Sequence, residues 1–240
     1  MHKINIPQWV VDRVISRRGR RHVFDNLNPR KTALLVVDLQ NGFMMDGVAH
    51  SLVPTAREIV PNVNRIAASL RDGGGLVVWI QNTSTPESLE DWSVFHNDLS
   101  TAEGRSRRLR SMEAGSVGHQ LWAELDVQPN DAIVRKERYS AFIQGSSNVE
   151  EVLRARGIDT VVVTGTVTGV CCESTARDAM MRNFKTIMVS DGCAARTDEE
   201  HNAALTAFYT TFGDVMSTEE VIGYIQRNAQ DAASRARAVS

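Results

Sequence analysis

The chain has 240 residues, of which 42% are hydrophobic and 23% charged, and its formal net charge is -2. These values predict an ordinary soluble globular protein, built as one large domain or at most two small ones. The charge balance argues against a nucleic-acid partner, and no apolar run approaches the ~20 residues that a membrane-spanning helix needs.

The cysteines and the N-terminal residues indicate a reducing compartment. Cys171, Cys172 and Cys193 cannot all pair with one another, and none of them has the CxxC spacing of a zinc or redox site. The first residues lack the apolar core of a secretory signal, and Asp12 and several arginines interrupt them. We therefore expect a cytoplasmic protein whose thiols are free.

The first thirty residues are predicted to form an arm in front of the main domain. An apolar helix face is formed by four residues, Trp9, Val10, Val14 and Ile15, and arginines follow at positions 17, 18, 20 and 21. Such an arm could cover a neighbouring subunit or help to shape a pocket, although a solvated basic helix end is the simpler interpretation. The predicted organisation is an arm over residues 1–30, a domain over 31–228 and a tail over 229–240.

From Thr32 onward, short apolar runs alternate with amphipathic segments. Six runs are predicted to be strands: 33–37, 76–80, 132–134, 160–163, 186–189 and 214–216. Helical spacing is found in five segments: 56–72, 149–156, 173–183, 199–211 and 218–227. Continuous apolar strands that alternate with helices predict an α/β fold. We expect a single three-layer domain with a six-stranded, mostly parallel sheet and helices on both faces.

The stretch between Asn82 and Val127 is predicted to be irregular, because it is too long and too polar for a simple crossover connection. Long insertions in a compact α/β domain usually build the site or a subunit contact.

Three reactive side chains fall at the carboxyl ends of predicted strands. Asp38 ends the first strand in ALLVVDLQN, Lys136 ends the third in AIVRKERYSAF, and Cys171 follows the fourth at the start of a helix. Ligands of open parallel sheets bind outside these ends, so the three side chains are expected on one rim. Each also has an ordinary explanation, as a turn residue, a solvent-facing lysine or a small buried apolar residue.

These residue types together suit nucleophilic catalysis. A thiol at a helix N-terminus has a lowered pKa, and a nearby ammonium group favours the thiolate further. An aspartate can take the thiol proton and return it to a leaving amine. Backbone N–H groups of the glycine-rich turn can receive the oxyanion of a tetrahedral intermediate. The pattern predicts attack on a carbonyl, release of ammonia or an amine, and hydrolysis of a thioester by water.

The motifs LLVVDLQNGF, VRKERYSAF and VVTGTVTGVCCESTARDA, followed by SDGCAA, resemble those of the isochorismatase-like cysteine hydrolases. That superfamily includes nicotinamidases, N-carbamoylsarcosine amidases and ureidoacrylate amidohydrolases. The resemblance covers roughly Thr32 to Ile222 and implies a Rossmann-like, isochorismatase-type fold. It also implies that Asp38 is the acid/base, that Lys136 stabilises the thiolate and that Cys171 is the nucleophile.

The G-x-x-T-x-x-C pattern places the nucleophile at Cys171, although the adjacent Cys172 is the alternative. The resemblance further implies a cis peptide bond between Thr166 and Val167, and an oxyanion hole formed by the amides of Val167 and Cys171. Family members with this pattern commonly form dimers or tetramers, so a homodimer or homotetramer is expected.

The segment VVWIQNTSTPES has no counterpart of the Asp-x-His metal site of nicotinamidases, and the six histidines show no ligand spacing. We therefore expect neither a metal nor another cofactor. The best local resemblance is to ureidoacrylate-type amidohydrolases, and it implies that Asn82 and Tyr139 bind the substrate. Arg138 and Gln120 are weaker candidates for the same role.

The leading hypothesis is a metal-independent amidohydrolase that cleaves a small linear amide or ureido compound. Its substrate stays open among ureidoacrylate, a carbamoylated amino acid, a maleamate-like acid amide and an unrelated amide. The alternative is a non-catalytic binding or assembly module on the same scaffold, with the basic arm as its partner surface. A nucleotide-binding Rossmann domain is disfavoured, because GTVTGV is not the G-x-G-x-x-G phosphate-binding motif.

Overall fold

The computed structural model describes residues 1–238 and contains the six predicted strands. They are β1 Thr32–Val37, β2 Leu76–Asn82, β3 Ala132–Lys136, β4 Thr160–Thr166, β5 Lys185–Ala194 and β6 Asp214–Met216. These strands form one sheet in the order β3-β2-β1-β4-β5-β6, and each neighbouring pair is parallel. The predicted α/β sheet is confirmed, and it is parallel throughout rather than mostly parallel.

The helices lie between the strands and at both ends of the described chain. They are α1 Gln8–Arg18, α2 Asn41–Met44, α3 Val60–Asp72, α4 Ser88–Asp91, α5 Ala102–Met112, α6 Val149–Ala155, α7 Glu173–Met181, α8 Asp198–Thr211 and α9 Thr218–Ala238. Because α9 continues to residue 238, most of the segment predicted as a tail over 229–240 is helical; residues 239 and 240 lie outside the described part. No helix within residues 1–238 combines the length and apolar character needed to cross a membrane.

Alternate residues of β1 enter two separate cores. Ala33, Leu35 and Val37 belong to the core covered by α1, α6, α7 and α8. Leu34 and Val36 belong to the core covered by α3 and α9 on the other face of the sheet. Since both faces of the strand are buried, its sequence is continuously apolar instead of alternating.

Helix α1 packs against the domain of its own chain. Val10 and Val14 are buried in the first core, whereas Trp9 and Ile15 of the predicted apolar face are exposed. The Arg18 guanidinium donates hydrogen bonds to the carbonyl oxygens of residues 209 and 213, at 2.8 and 2.9 Å. The simpler sequence interpretation, a solvated basic helix end, is therefore wrong for Arg18, because the end of α1 is anchored on α8.

The segment from Asn82 to Val127 is more regular than predicted. It contains α4, a π-helical turn over Val94–Asp98, and α5. The hydroxyl of Thr101 caps α5 by accepting a hydrogen bond from the N–H of Gly104 at 3.1 Å. The sequence pattern does not predict helix α5, because its buried residues do not form an apolar stripe. They are Arg108, Ser111 and Met112.

The strand order reverses between β1 and β4, so the chain leaves these two strands in opposite directions across the sheet. Such a switch point opens a crevice at the carboxyl ends of the strands. The two strands approach closely there: Gly165 has φ +120°, and a Cβ on it would lie 2.0 Å from the carbonyl oxygen of Val37. A glycine is therefore required beside the crevice.

Candidate active site

Asp38 and Lys136 form a buried ion pair at the rim of the sheet. Lys136 Nζ donates to Asp38 Oδ2 at 2.8 Å, and both side chains are 0% exposed. They are 98 residues apart in the chain, but β1 and β3 flank β2 and end on the same rim. Asp38 also has a positive φ of 56°, which is uncommon for a residue other than glycine and often marks a functional position.

The ammonium group of Lys136 keeps its charge inside the protein. Burial by itself lowers the pKa of Lys136, but the negative charge of Asp38 and its hydrogen bond to the ammonium group outweigh this effect and raise that pKa above its ordinary value. A second hydrogen bond, from Nζ to the carbonyl oxygen of Arg138 at 3.0 Å, fixes the side chain. The pair thus places one fixed positive charge and one carboxylate at the switch point.

Cys171 is the cysteine that faces the crevice. It lies in a π-helical turn, Thr168–Cys172, between β4 and α7, and it lines the cavity although it is only 3% exposed. Cys172 is fully buried, with its Sγ 3.9 Å from the carbonyl oxygen of Thr164. Cys193 is likewise buried, with its Sγ 3.5 Å from the carbonyl oxygen of Val163. Of the three thiols, only that of Cys171 is placed to meet a ligand in the cavity.

The acidity of Cys171 differs from the expectation for a thiol at a helix start. Burial raises the pKa of the Cys171 thiol to about 12, and the positive charge of Lys136 only partly offsets this, since Asp38 acts in the opposite direction. The thiol is therefore protonated in the resting protein at neutral pH. Asp38 is the carboxylate whose charge acts on this thiol.

Alkylation of Cys171 by iodoacetamide is expected to accelerate with pH up to at least pH 10. The thiolate is the reacting form, and a raised pKa moves its appearance to alkaline solution, above the value of about 8.5 for a free cysteine. Rates are measured by mass spectrometry of the Cys171 peptide between pH 7 and 10.5 in the Cys172→Ala variant. A plateau at or below pH 9 would show that the thiol ionises normally.

A cavity of about 380 Å³ opens in front of Cys171, a size that suits a small molecule. Almost half of its lining comes from the segment after β2, so this long insertion forms much of the cavity wall. The lining residues are Phe43, His50, Ser51, Phe95, Leu99, Ser100, Thr101, Gly104, Arg107, Arg108, Tyr139, Val167, Val170, Cys171 and Arg196.

The residues predicted to bind substrate take different positions. Tyr139 lines the cavity, and its ring packs edge-on against Trp92 and Phe95 with centroid distances of 4.9 and 5.6 Å. Asn82 is fully buried and does not line the cavity; its Oδ1 accepts a hydrogen bond from Arg108 Nη2 at 2.9 Å. Asn82 therefore does not face a ligand directly, and its connection to the cavity is the hydrogen bond that it accepts from the lining residue Arg108.

The weaker candidates lie outside the cavity. The side chain of Gln120 is exposed, and Arg138 lies over the ring of Trp92, 5.4 Å from its centroid. The predicted oxyanion-hole residue Val167 does line the cavity beside Cys171, and the peptide bond between Thr166 and Val167 is cis. Within residues 1–238, no group of three or more His, Cys, Asp or Glu side chains is arranged to hold a metal ion.

Arg108 is the site residue that sequence reasoning missed. It is 8% exposed, and its positive charge partly opposes the burial that raises the pKa of Cys171, so it belongs to the electrostatic environment of the thiol. In the sequence it is one of several arginines in GRSRRLRS, a pattern that normally indicates a solvated helix face. No local signal distinguishes it from its neighbours.

The comparisons with known proteins agree with this architecture. Residues 32–220 match the sequence model of the isochorismatase domain. A cysteine hydrolase from Pseudomonas syringae pv. phaseolicola 1448A is 27% identical, with a TM-score of 0.72 over 85% of this chain and 96% of that chain. An isochorismatase-like hydrolase from Alkaliphilus metalliredigens is 32% identical, with a TM-score of 0.67 over 80% of this chain and 98% of that chain.

An N-carbamoylsarcosine amidase from Thermoplasma acidophilum is 29% identical, with a TM-score of 0.62 over 79% of this chain and 97% of that chain. It is one of several structures of comparable similarity, so the narrower resemblance to ureido and carbamoyl amidohydrolases does not stand out among them. The domain match covers more than half of the chain, and the similar structures are covered almost completely. The chain belongs to the isochorismatase-like hydrolase family.

Proposed function

We propose that the chain is a metal-independent cysteine hydrolase that cleaves the C–N bond of a small linear amide or ureido compound through a thioester. The observation that carries this proposal is the buried Asp38–Lys136 pair next to the one thiol that opens on the cavity. Taking both charges out of water is costly, and a buried ion pair is weak evidence of stabilisation. A chemical role for the pair accounts for its position beside Cys171.

In the first half of the reaction, the Asp38 carboxylate takes the proton from Cys171 Sγ while the sulfur attacks the carbonyl carbon. The sulfur–carbon bond forms and the carbonyl π electrons move onto oxygen, giving a tetrahedral oxyanion. The backbone amides of Val167 and Cys171 are proposed to donate hydrogen bonds to that oxygen. As the proton moves from the sulfur to the Asp38 carboxylate, negative charge develops on the sulfur, and the ammonium group of Lys136 stabilises it.

In the second half, the protonated Asp38 gives its proton to the leaving nitrogen as the C–N bond breaks, and ammonia or an amine departs. The carboxylate then removes a proton from a water molecule, whose oxygen attacks the thioester carbon. The C–S bond breaks, the sulfur regains its proton from Asp38, and a carboxylic or carbamic acid is released. Asp38 thus alternates between base and acid, and the positive charge of Lys136 stays beside it in both steps.

The test is ammonia release from a panel containing ureidoacrylate analogues, N-carbamoyl amino acids, acid amides and nicotinamide. We expect turnover of at least one amide or ureido compound, with loss of turnover after irreversible alkylation of Cys171. The non-catalytic module would give no ammonia from any compound in the panel. That result, together with a Cys171 thiol that reacts no faster with substrate-like electrophiles than Cys172 does, would overturn the hydrolase proposal.

A further inference from the structure

Arg108 brings a buried positive charge into the cavity that no described carboxylate neutralises. The negative charge of Asp38 attracts Arg108, but the Asp38 carboxylate already forms an ion pair with Lys136 at 2.8 Å. Within residues 1–238, no Asp or Glu forms an ion pair with Arg108. Buried guanidinium groups are normally paired, because leaving one without an anion costs free energy. An anionic ligand that enters the cavity would supply this missing partner.

Two neutral acceptors hold the guanidinium in place. Nη2 donates to Asn82 Oδ1 at 2.9 Å, and Nη1 faces His50 Nε2 at 3.3 Å. Burial and the charge of Arg108 lower the pKa of His50 to about 3, so the imidazole is neutral and its Nε2 can accept. The guanidinium also lies over the ring of Phe95, 5.0 Å from its centroid. These contacts fix the orientation of Arg108 without cancelling its charge.

The other charged residues that line the cavity are also positive. Arg107 and Arg196 line the cavity from exposed positions, and no Asp or Glu is among the lining residues. This local excess of positive charge stands in a chain whose net charge is -2, so it is a property of the site and not of the whole surface. A cavity lined by one sign of charge raises the local concentration of ligands of the opposite sign.

We propose that the substrate carries a carboxylate, which Arg108 binds while the amide or ureido carbonyl lies at Cys171. This inference rests on the proposed hydrolase and narrows its substrates to small acid amides and N-carbamoyl acids. Both residues line one cavity of about 380 Å³, so a compact substrate can reach them together. A planar guanidinium can bind a carboxylate with two hydrogen bonds and orients as well as attracts it. Asn82 is then a positioning residue that holds Arg108.

The test compares two reagents that form the same Cys171 Sγ–carbon bond with loss of iodide, the anionic iodoacetate and the neutral iodoacetamide. Their rate ratio is measured at pH 8 in the Cys172→Ala protein and divided by the ratio for 2-mercaptoethanol. We expect iodoacetate to be favoured by about 10-fold or more, as charge-assisted hydrogen bonds to a buried carboxylate are strong. Arg108→Met should remove most of this preference, leaving only the weaker attraction of the exposed Arg107 and Arg196.

Arg110→Met is the matched control, because Arg110 is on the same helix but is exposed and outside the cavity. It removes the same charge and should leave the preference for iodoacetate in place. A normalised ratio of one before any substitution, or an equal loss in both variants, would overturn the proposal. A ratio of one before substitution overturns the proposal even if Arg108→Met fails to fold.

Alkylation requires no turnover, so this result is separate from the test of the hydrolase. If no amide in the panel releases ammonia, the hydrolase proposal fails while the reagent ratio still reports on the anion site. If a methyl ester of an acid amide is hydrolysed as efficiently as the acid itself, the carboxylate inference fails and the hydrolase stands. Loss of kcat/KM for the acid but not for the ester in Arg108→Met would support both.

Discussion

Cys171→Ala is expected to lower the release of ammonia by about 10⁴-fold or more, because it removes the nucleophile on which the thioester depends. The fold should be retained, since the side chain is small and lies at the edge of a cavity. Turnover is measured with the best compound of the panel, and folding is checked by circular dichroism and thermal unfolding. A variant that still turns over at a tenth of the normal rate would remove Cys171 from the mechanism.

Cys172→Ala is the matched control for this prediction. Cys172 is adjacent in sequence, but its Sγ points toward the carbonyl oxygen of Thr164 inside the protein and does not line the cavity. The variant should keep most of its activity. An inactive but folded Cys172→Ala protein, with Cys171→Ala still active, would reverse the assignment of the nucleophile.

The second large effect is expected from separating the buried pair of Asp38 and Lys136. Lys136→Met leaves a carboxylate without its partner in the interior, and the free energy of unfolding should fall by about 3–5 kcal/mol. Asp38→Asn leaves an ammonium group in the same position and removes the acid/base, so its turnover should also fall by about 10²–10⁴-fold. Urea unfolding and steady-state kinetics measure the two consequences separately.

The double variant Asp38→Asn/Lys136→Met distinguishes the structural role of the pair from its chemical role. With no uncompensated charge left inside, most of the lost stability should return, whereas the activity should stay absent. If the double variant loses as much stability as the two single variants together, the ion pair is contradicted. If the double variant recovers activity, the mechanism is contradicted. The pKa of Lys136 is raised by folding, so its contribution is complete below the unfolded value of about 10.4 and disappears only at more alkaline pH.

The location of the site follows from the topology of the sheet. The strand order changes direction between β1 and β4, and these are the strands that deliver Asp38 and Cys171 to the rim. The insertion after β2 then covers the crevice with α5, which brings Arg108 to the thiol. In this arrangement the sheet supplies the reacting groups, and the insertion supplies the charge proposed to select the substrate.

The sequence by itself determined the order of the six strands and of helices α3, α6, α7, α8 and α9, and the rim on which the reactive side chains meet. Continuous apolar runs such as Ala33–Val37 that alternate with amphipathic helical segments are typical of a parallel sheet between two helical layers. The carboxyl ends of parallel strands share one edge, so Asp38, Lys136 and Cys171 could be assigned to that edge from the sequence alone. These inferences depend on local periodicity, which a sequence records directly.

The tertiary structure alone decided the electrostatics of the site. Whether Cys171 ionises depends on how deeply it is buried and on the opposing charges of Lys136 and Asp38, and the balance raises its pKa instead of lowering it. Arg108 looks like a surface arginine until α5 folds over the crevice and Asn82 accepts its hydrogen bond. Desolvation and charge interactions are sums over neighbours that are distant in the chain, so no local pattern contains them.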